Sequence, residues 1–94
     1  MAANFKNQVV LSGFTSDLYC AGQKANFTLY IEDGHRTLIH VNVFDSLVEK
    51  CKEMKLRSGD FVTVCGELMN RTMKSSQKIV LEVKAHDITK DLTD

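Results

Sequence analysis

The chain has no proline, no tryptophan, only five glycines and no excess of charge of either sign. Without proline, low-complexity stretches or repeats, nothing marks a linker, and residues 1–94 are expected to form a single domain with its core over about 7–88. Twelve Lys plus Arg balance twelve Asp plus Glu, which excludes the basic whole-molecule footprint of many nucleic-acid binders. Any affinity for anions must therefore come from a local patch. No apolar run approaches the ~18 residues of a membrane span, and the opening Met-Ala-Ala-Asn-Phe-Lys has no signal-peptide core. A soluble cytoplasmic protein without a membrane partner is the expectation. Cys20, Cys51 and Cys65 form neither an even disulfide set nor a Cys-x-x-Cys pair and are read as free thiols. His35, His40 and His86 lack ligand spacing, and there is no Gly-rich phosphate loop or Ser-His-carboxylate pattern. No metal, no cofactor and no catalysis are expected.

What is present is β-patterned. Gln8–Phe14 is β-branched and apolar, with Gly13 where a sharply bent strand or bulge would want a residue lacking Cβ. Ala25–Ile31 alternates, with Phe27, Leu29 and Ile31 inward and Asn26, Thr28 and Tyr30 outward. Thr37–Phe44 does the same, with Ile39, Val41 and Val43 inward and Leu38, His40, Asn42 and Phe44 outward. Asp33-Gly34 invites a two-residue hairpin, but that register would set apolar inner residues opposite polar outer ones. A three-residue loop, Glu32-Asp33-Gly34, aligns the faces. It pairs Phe27 with Ile39, Asn26 with His40 and Tyr30 with Arg36.

Ser46-Leu47-Val48-Glu49 matches a capping box, and Leu47, Val48, Cys51 and Met54 recur at helical spacing, which predicts one short helix after the third strand. Asp60–Leu68 predicts a fourth strand with Val62 and Val64 on one face and a break at Gly66. Lys78–Lys84 predicts a fifth, with Ile79, Leu81 and Val83 on one side, and a frayed polar tail from His86 to Asp94. Five strands with a single helix between the third and fourth is the layout of an all-β, five-stranded Greek-key OB-fold barrel; a small α+β sandwich is the rival.

The ordered words Asn7-Gln8-Val9-Val10-Leu11-Ser12-Gly13, Ala25-Asn26-Phe27-Thr28-Leu29, His40-Val41-Asn42-Val43-Phe44 and Arg57-Ser58-Gly59-Asp60-Phe61-Val62-Thr63-Val64-Cys65-Gly66-Glu67-Leu68 carry a family likeness. Through them the chain resembles the bacterial and phage single-stranded DNA-binding proteins and their relative, primosomal replication protein B. The resemblance implies sequence-independent binding of single-stranded DNA, and potentially RNA, by a homo-oligomer, a dimer or a tetramer. It departs from the family in its stacking platform: Leu38 and Met73 stand where the family usually places tryptophans, and only Phe44 keeps an aromatic. The loop between strands two and three is short, and the acidic recruiting tail of the family has no counterpart in Asp91-Leu92-Thr93-Asp94.

Single strands are held by cations along phosphates and by flat or apolar surfaces under bases. Leu68–Leu81 holds Arg71, Lys74 and Lys78 without an acid and is assigned to the loop between strands four and five. Lys24 and Arg36 flank a face of Asn26, Thr28, Tyr30, Leu38, His40, Asn42 and Phe44, and Met73 adds an apolar surface. These thirteen residues are the expected DNA contacts, with Tyr30 the best stacking platform. Coating and protection of unwound DNA is the leading expectation. A primosome-type accessory and a protein-interaction barrel that never meets DNA are the alternatives.

Overall fold

The computed structural model describes residues 3–91. The strands are β1 (Val9–Ala21), β2 (Lys24–Glu32), β3 (Arg36–Phe44), β4 (Phe61–Thr72) and β5 (Ile79–Lys90), with one helix, α1 (Ser46–Glu53), between β3 and β4. They close into a barrel in the order β1-β2-β3-β5-β4, and β4 returns to β1. Every neighbouring pair is antiparallel except β3 with β5. This is the OB fold.

Closure depends on β1 serving two partners. Val9–Phe14 pair with β4, while Phe14–Ala21 pair with β2, so the strand changes neighbours at Gly13 and Phe14. A Cβ on Gly13 would collide with the backbone carbonyl of Tyr30 and touch Ile31. Only glycine lets the two backbones approach this closely. Further along, β1 bulges between Ser16 and Tyr19, with Asp17 at φ 53° and the Leu18 N–H donating to Ser58 Oγ at 3.0 Å.

The inward residues are those the alternation marks: Phe27, Leu29, Val41, Val43, Val62, Val64 and Val83 are fully buried. Each such side chain contributes about 1.5–3 kcal/mol of burial. Val48 and Cys51 of α1, with Leu56 beyond it, join the same core. The buried hydroxyl of Thr15 donates to the Arg57 carbonyl at 2.8 Å, and Gly59 N–H donates to the Thr15 carbonyl at 2.7 Å, which ties the segment after α1 to β1.

Several expectations are corrected. The β2–β3 loop does have three residues, but they are Asp33-Gly34-His35, with Gly34 at φ 101°. Tyr30 therefore faces Leu38, Thr28 faces His40 and Asn26 faces Asn42. Matching faces fixes a register only to within two residues, and the glycine in the centre of the turn decides between the options. Ser46 is not a cap: Asp45 precedes the helix at φ 56°, and no side chain caps it. The strands also outrun their expected ends, because pairing continues wherever a partner is available. His86–Lys90 is not a frayed tail but the end of β5, paired with β4 from Val62 to Cys65, and Ile88 is fully buried. Leu92, Thr93 and Asp94 of that expected tail lie outside the described residues. The basic segment Leu68–Leu81 is mostly a two-stranded ribbon, with Thr72 facing Ile79. Ile79 and Leu81 share their side with buried Val83 yet are exposed, since the ribbon has left the barrel there. The 49 × 29 × 28 Å dimensions reflect that projection.

Gly13→Ala is expected to lower stability by about 3 kcal/mol, since backbone on both sides must move. Urea unfolding checks this, and a loss under ~0.5 kcal/mol would show that the β1 bend tolerates a side chain.

Candidate nucleic-acid interface

Alternation along β2 and β3 turns five cross-strand pairs outward: Lys24 with Phe44, Asn26 with Asn42, Thr28 with His40, Tyr30 with Leu38, and Glu32 with Arg36. Leu38 is 60% exposed, and the residues from Asn26 to Tyr30 and from His40 to Phe44 on this face are half-buried. The Arg36 guanidinium carbon lies 5.8 Å from the centre of the Tyr30 ring, a cation–π contact. Tyr30 also donates its phenolic proton to Glu32. That hydrogen bond, reinforced by desolvation and the carboxylate's charge, raises the Tyr30 phenol above its ordinary value, while Arg36 opposes the shift.

The β4–β5 ribbon joins this face. β3 and β5 are parallel and pair only at Val41–Val83 and Asn42–Lys84, so the β2–β3 and β4–β5 hairpins leave the barrel at the same end. Met69 faces Glu82, Arg71 faces Val80, and Met73 N–H donates to the Lys78 carbonyl at 2.8 Å, which sets these six residues on one side of the ribbon. Glu82 then accepts from Asn42 Nδ2 at 2.8 Å and from Arg71 Nε at 2.8 Å. Asn42 is thus the hinge point between sheet and ribbon.

Ten of the thirteen expected residues fall on this continuous surface: Asn26, Thr28, Tyr30, Arg36, Leu38, His40, Asn42, Arg71, Met73 and Lys78. Lys74 sits in the tip turn beside it, where Gln77 N–H bonds the Met73 carbonyl at 2.7 Å. Lys24 and Phe44 share the sheet face but lie at its far end, away from both hairpin tips. Arg71 is not the free cation expected, because its charge is matched by Glu82. Among the described residues, Lys24, Lys74 and Lys78 take part in no ion pair.

Sequence reasoning missed Glu82, which lies one residue beyond the acid-free window. It also missed an extension of the aromatic surface. Phe14 faces Tyr30 across β1–β2 and Phe61 across β1–β4, with the two phenyl rings 5.0 Å apart and edge-to-face at 77°. Phe61, Phe14, Tyr30 and Leu38 therefore cross four strands in one row, beside a groove of about 310 Å³ rimmed by Glu32 and Asp33. Outward parity at the β1 bend was the available signal. Elsewhere, Cys20 and Cys65 are exposed and Cys51 is buried, where desolvation raises its thiol. Among the described residues no group of three His, Cys, Asp or Glu is placed to hold a metal ion, and no helix is long and apolar enough to cross a membrane.

No family model and no curated protein matches the sequence. Solved structures do match. A deletion mutant of the single-stranded DNA binding protein from Thermus aquaticus is similar at TM-score 0.75 and 25% identity, covering 95% of this chain and 42% of that one. The mitochondrial single-stranded DNA binding protein Rim1 of S. cerevisiae aligns at TM-score 0.72 and 17% identity over 89% of this chain and 93% of its own. The dimeric N-terminal domain of the PriB protein from Thermoanaerobacter tencongensis gives TM-score 0.72 and 22% identity, covering 93% and 98%. At these identities the likeness establishes the fold, and the chemistry must be argued from the face itself.

The hydrogen bond from Tyr30 makes a prediction of its own. In a Tyr19→Phe background, where Tyr30 is the remaining tyrosine, Glu32→Gln should lower the midpoint for ionisation of the phenol, followed by ultraviolet absorbance. An unmoved midpoint would remove Glu32 as the cause.

Proposed function

We propose that this chain is a sequence-independent single-stranded DNA-binding protein, acting in the cytoplasm to coat and protect unwound strands, and that it binds rather than transforms its ligand. The observation that carries this reading is the continuous outer surface linking Tyr30 and Leu38 to the β4–β5 ribbon. It sets apolar and aromatic platforms on the same surface as the ammonium groups of Lys74 and Lys78, which make no ion pair among the described residues. That combination suits bases on one side and phosphates on the other. The similar structures, all described as single-stranded DNA-binding or PriB proteins, support it.

The same reading includes a homo-oligomer. Val9–Ser12 pair with β4 on one edge, while β2 partners begin only at Phe14, which leaves the other edge of Val9–Ser12 without a strand partner among the described residues. An open edge of this kind is a ready template for a second copy across a two-fold axis. The dimeric PriB domain among the similar structures is in keeping with that arrangement.

Fluorescence anisotropy with oligo-dT across a salt series tests the reading. Each phosphate contact on a single strand steepens the log–log salt slope by about 0.7, so Lys74→Ala with Lys78→Ala should flatten it by about 1.4. No binding even at low salt would leave the interaction-module alternative standing.

A second measurement locates the contact. Leu38→Trp introduces the chain's sole tryptophan. It should tighten binding roughly fivefold by adding a stacking platform. Its fluorescence should quench on oligonucleotide addition, and an unchanged emission would move the contact off this face.

A further inference from the structure

The cation of the ribbon nearest the barrel is held by a buried acid. Glu82 is 4% exposed at its side chain, while its partner Arg71 is 58% exposed. Both carboxylate oxygens are engaged, Oε2 by Arg71 Nε and Oε1 by Asn42 Nδ2, each at 2.8 Å. We infer that Glu82 is a positioning residue that presents Arg71 as a flat, charge-matched surface for a nucleobase and withholds it from the phosphates, with Asn42 bracing the same carboxylate.

The inference rests on the polynucleotide-binding reading and refines it. A carboxylate buried to this degree is costly unless its oxygens stay bonded, so swinging Arg71 outward to a phosphate would leave Oε2 without its partner. Charge matching also removes most of what a phosphate would gain. Donation through Nε uses one of five N–H groups and ties one edge of the guanidinium to the ribbon, while the side chain stays 58% exposed. A guanidinium plane is an established stacking surface for unstacked bases. The immediate neighbours agree: Arg71 shares its side of the ribbon with Met69, Met73 and Val80, apolar groups suited to a base, while Lys78 on the same side lies nearer the tip. Lys74 and Lys78, at the tip and in no ion pair among the described residues, are left to carry the phosphate contacts.

The test is the salt dependence of oligonucleotide affinity for the full chain, measured by anisotropy with oligo-dT. If wild type does not bind, or if Lys74→Ala and Lys78→Ala leave the slope unchanged, the polynucleotide reading itself fails. Given binding, Arg71→Ala should weaken affinity about fivefold to tenfold at every salt concentration while leaving the slope unaltered. Arg71→Lys should behave like the alanine variant, because lysine keeps a charge for Glu82 but offers no plane. Glu82→Gln keeps the shape and one acceptor but removes the countercharge, so low-salt binding should tighten and the slope should steepen by about 0.7. The inference is overturned if Arg71→Ala flattens the slope as Lys74→Ala does, or if Arg71→Lys restores wild-type affinity. Arg71→Lys keeps a cation against the buried Glu82 carboxylate, so it separates loss of the plane from loss of the pair and decides the question even where Arg71→Ala or Glu82→Gln lowers the melting temperature.

Discussion

One backbone contact organises the molecule: the approach of β1 at Gly13 to the carbonyl of Tyr30, which admits no side chain. Because the strand can pass this close, it hands its hydrogen bonding from β4 to β2 within two residues, and the sheet closes on itself. The same crossing places Phe14 opposite both Phe61 and Tyr30. The bend that makes the core possible therefore also sets the inner end of the aromatic row on the outer surface. Structure and candidate interface share a single cause.

Much of this was legible from alternation. Period-two patterning in Ala25–Ile31 and Thr37–Phe44 separates core from outer face without error in sense, because a half-buried strand leaves no third option. It could not choose between registers differing by two residues, since both keep the faces matched, so Asn26 was set against His40 and not against Asn42. Strand ends were harder still. The polar run His86-Asp87-Ile88-Thr89-Lys90 has a single core residue, Ile88, and its assignment to β5 comes from the long partner β4 and not from local pattern. Ser46 fails as a cap for a related reason: the chain enters α1 through Asp45 at φ 56°, a geometry imposed by the end of β3 that a four-residue motif does not encode. Of the candidate site, the residues were legible but the pairing was not. Arg71 looked free because its acid partner is eleven residues away in sequence and adjacent only once the ribbon forms.

Charge placement explains how a neutral chain can present a cationic edge. Lys50 pairs with Asp87, and Lys90 lies 3.2 Å from Asp60, both on surfaces other than the β2–β3 face. Both carboxyls are held below the usual range: Asp60 chiefly by the Arg57 backbone N–H, with Lys90 adding to it, and Asp87 chiefly by its hydrogen bond from Lys50. Acids are thus spent against lysines elsewhere on the barrel. Among the described residues, Lys74 and Lys78 at the ribbon tip make no ion pair. Net charge is a poor guide here because the relevant field is that of a few groups within about a Debye length, ~8 Å, of a strand lying on the proposed face.

The absence of tryptophan changes how affinity must be assembled. A base stacked on an aromatic ring gains about 1–3 kcal/mol, and Leu38 and Met73 offer contact area without a π-face. Tyr30 is fixed from two sides, by Arg36 over its ring and by Glu32 at its hydroxyl, so it loses little freedom when a base arrives. Arg71 is fixed in the same manner by Glu82. Weak platforms held in place can match stronger ones that must first be ordered, because immobilising a rotamer-rich side chain costs about 0.5–1.5 kcal/mol. On the proposed function, preorganisation by acidic neighbours, at the expense of some phosphate attraction, is the physical compromise of this face.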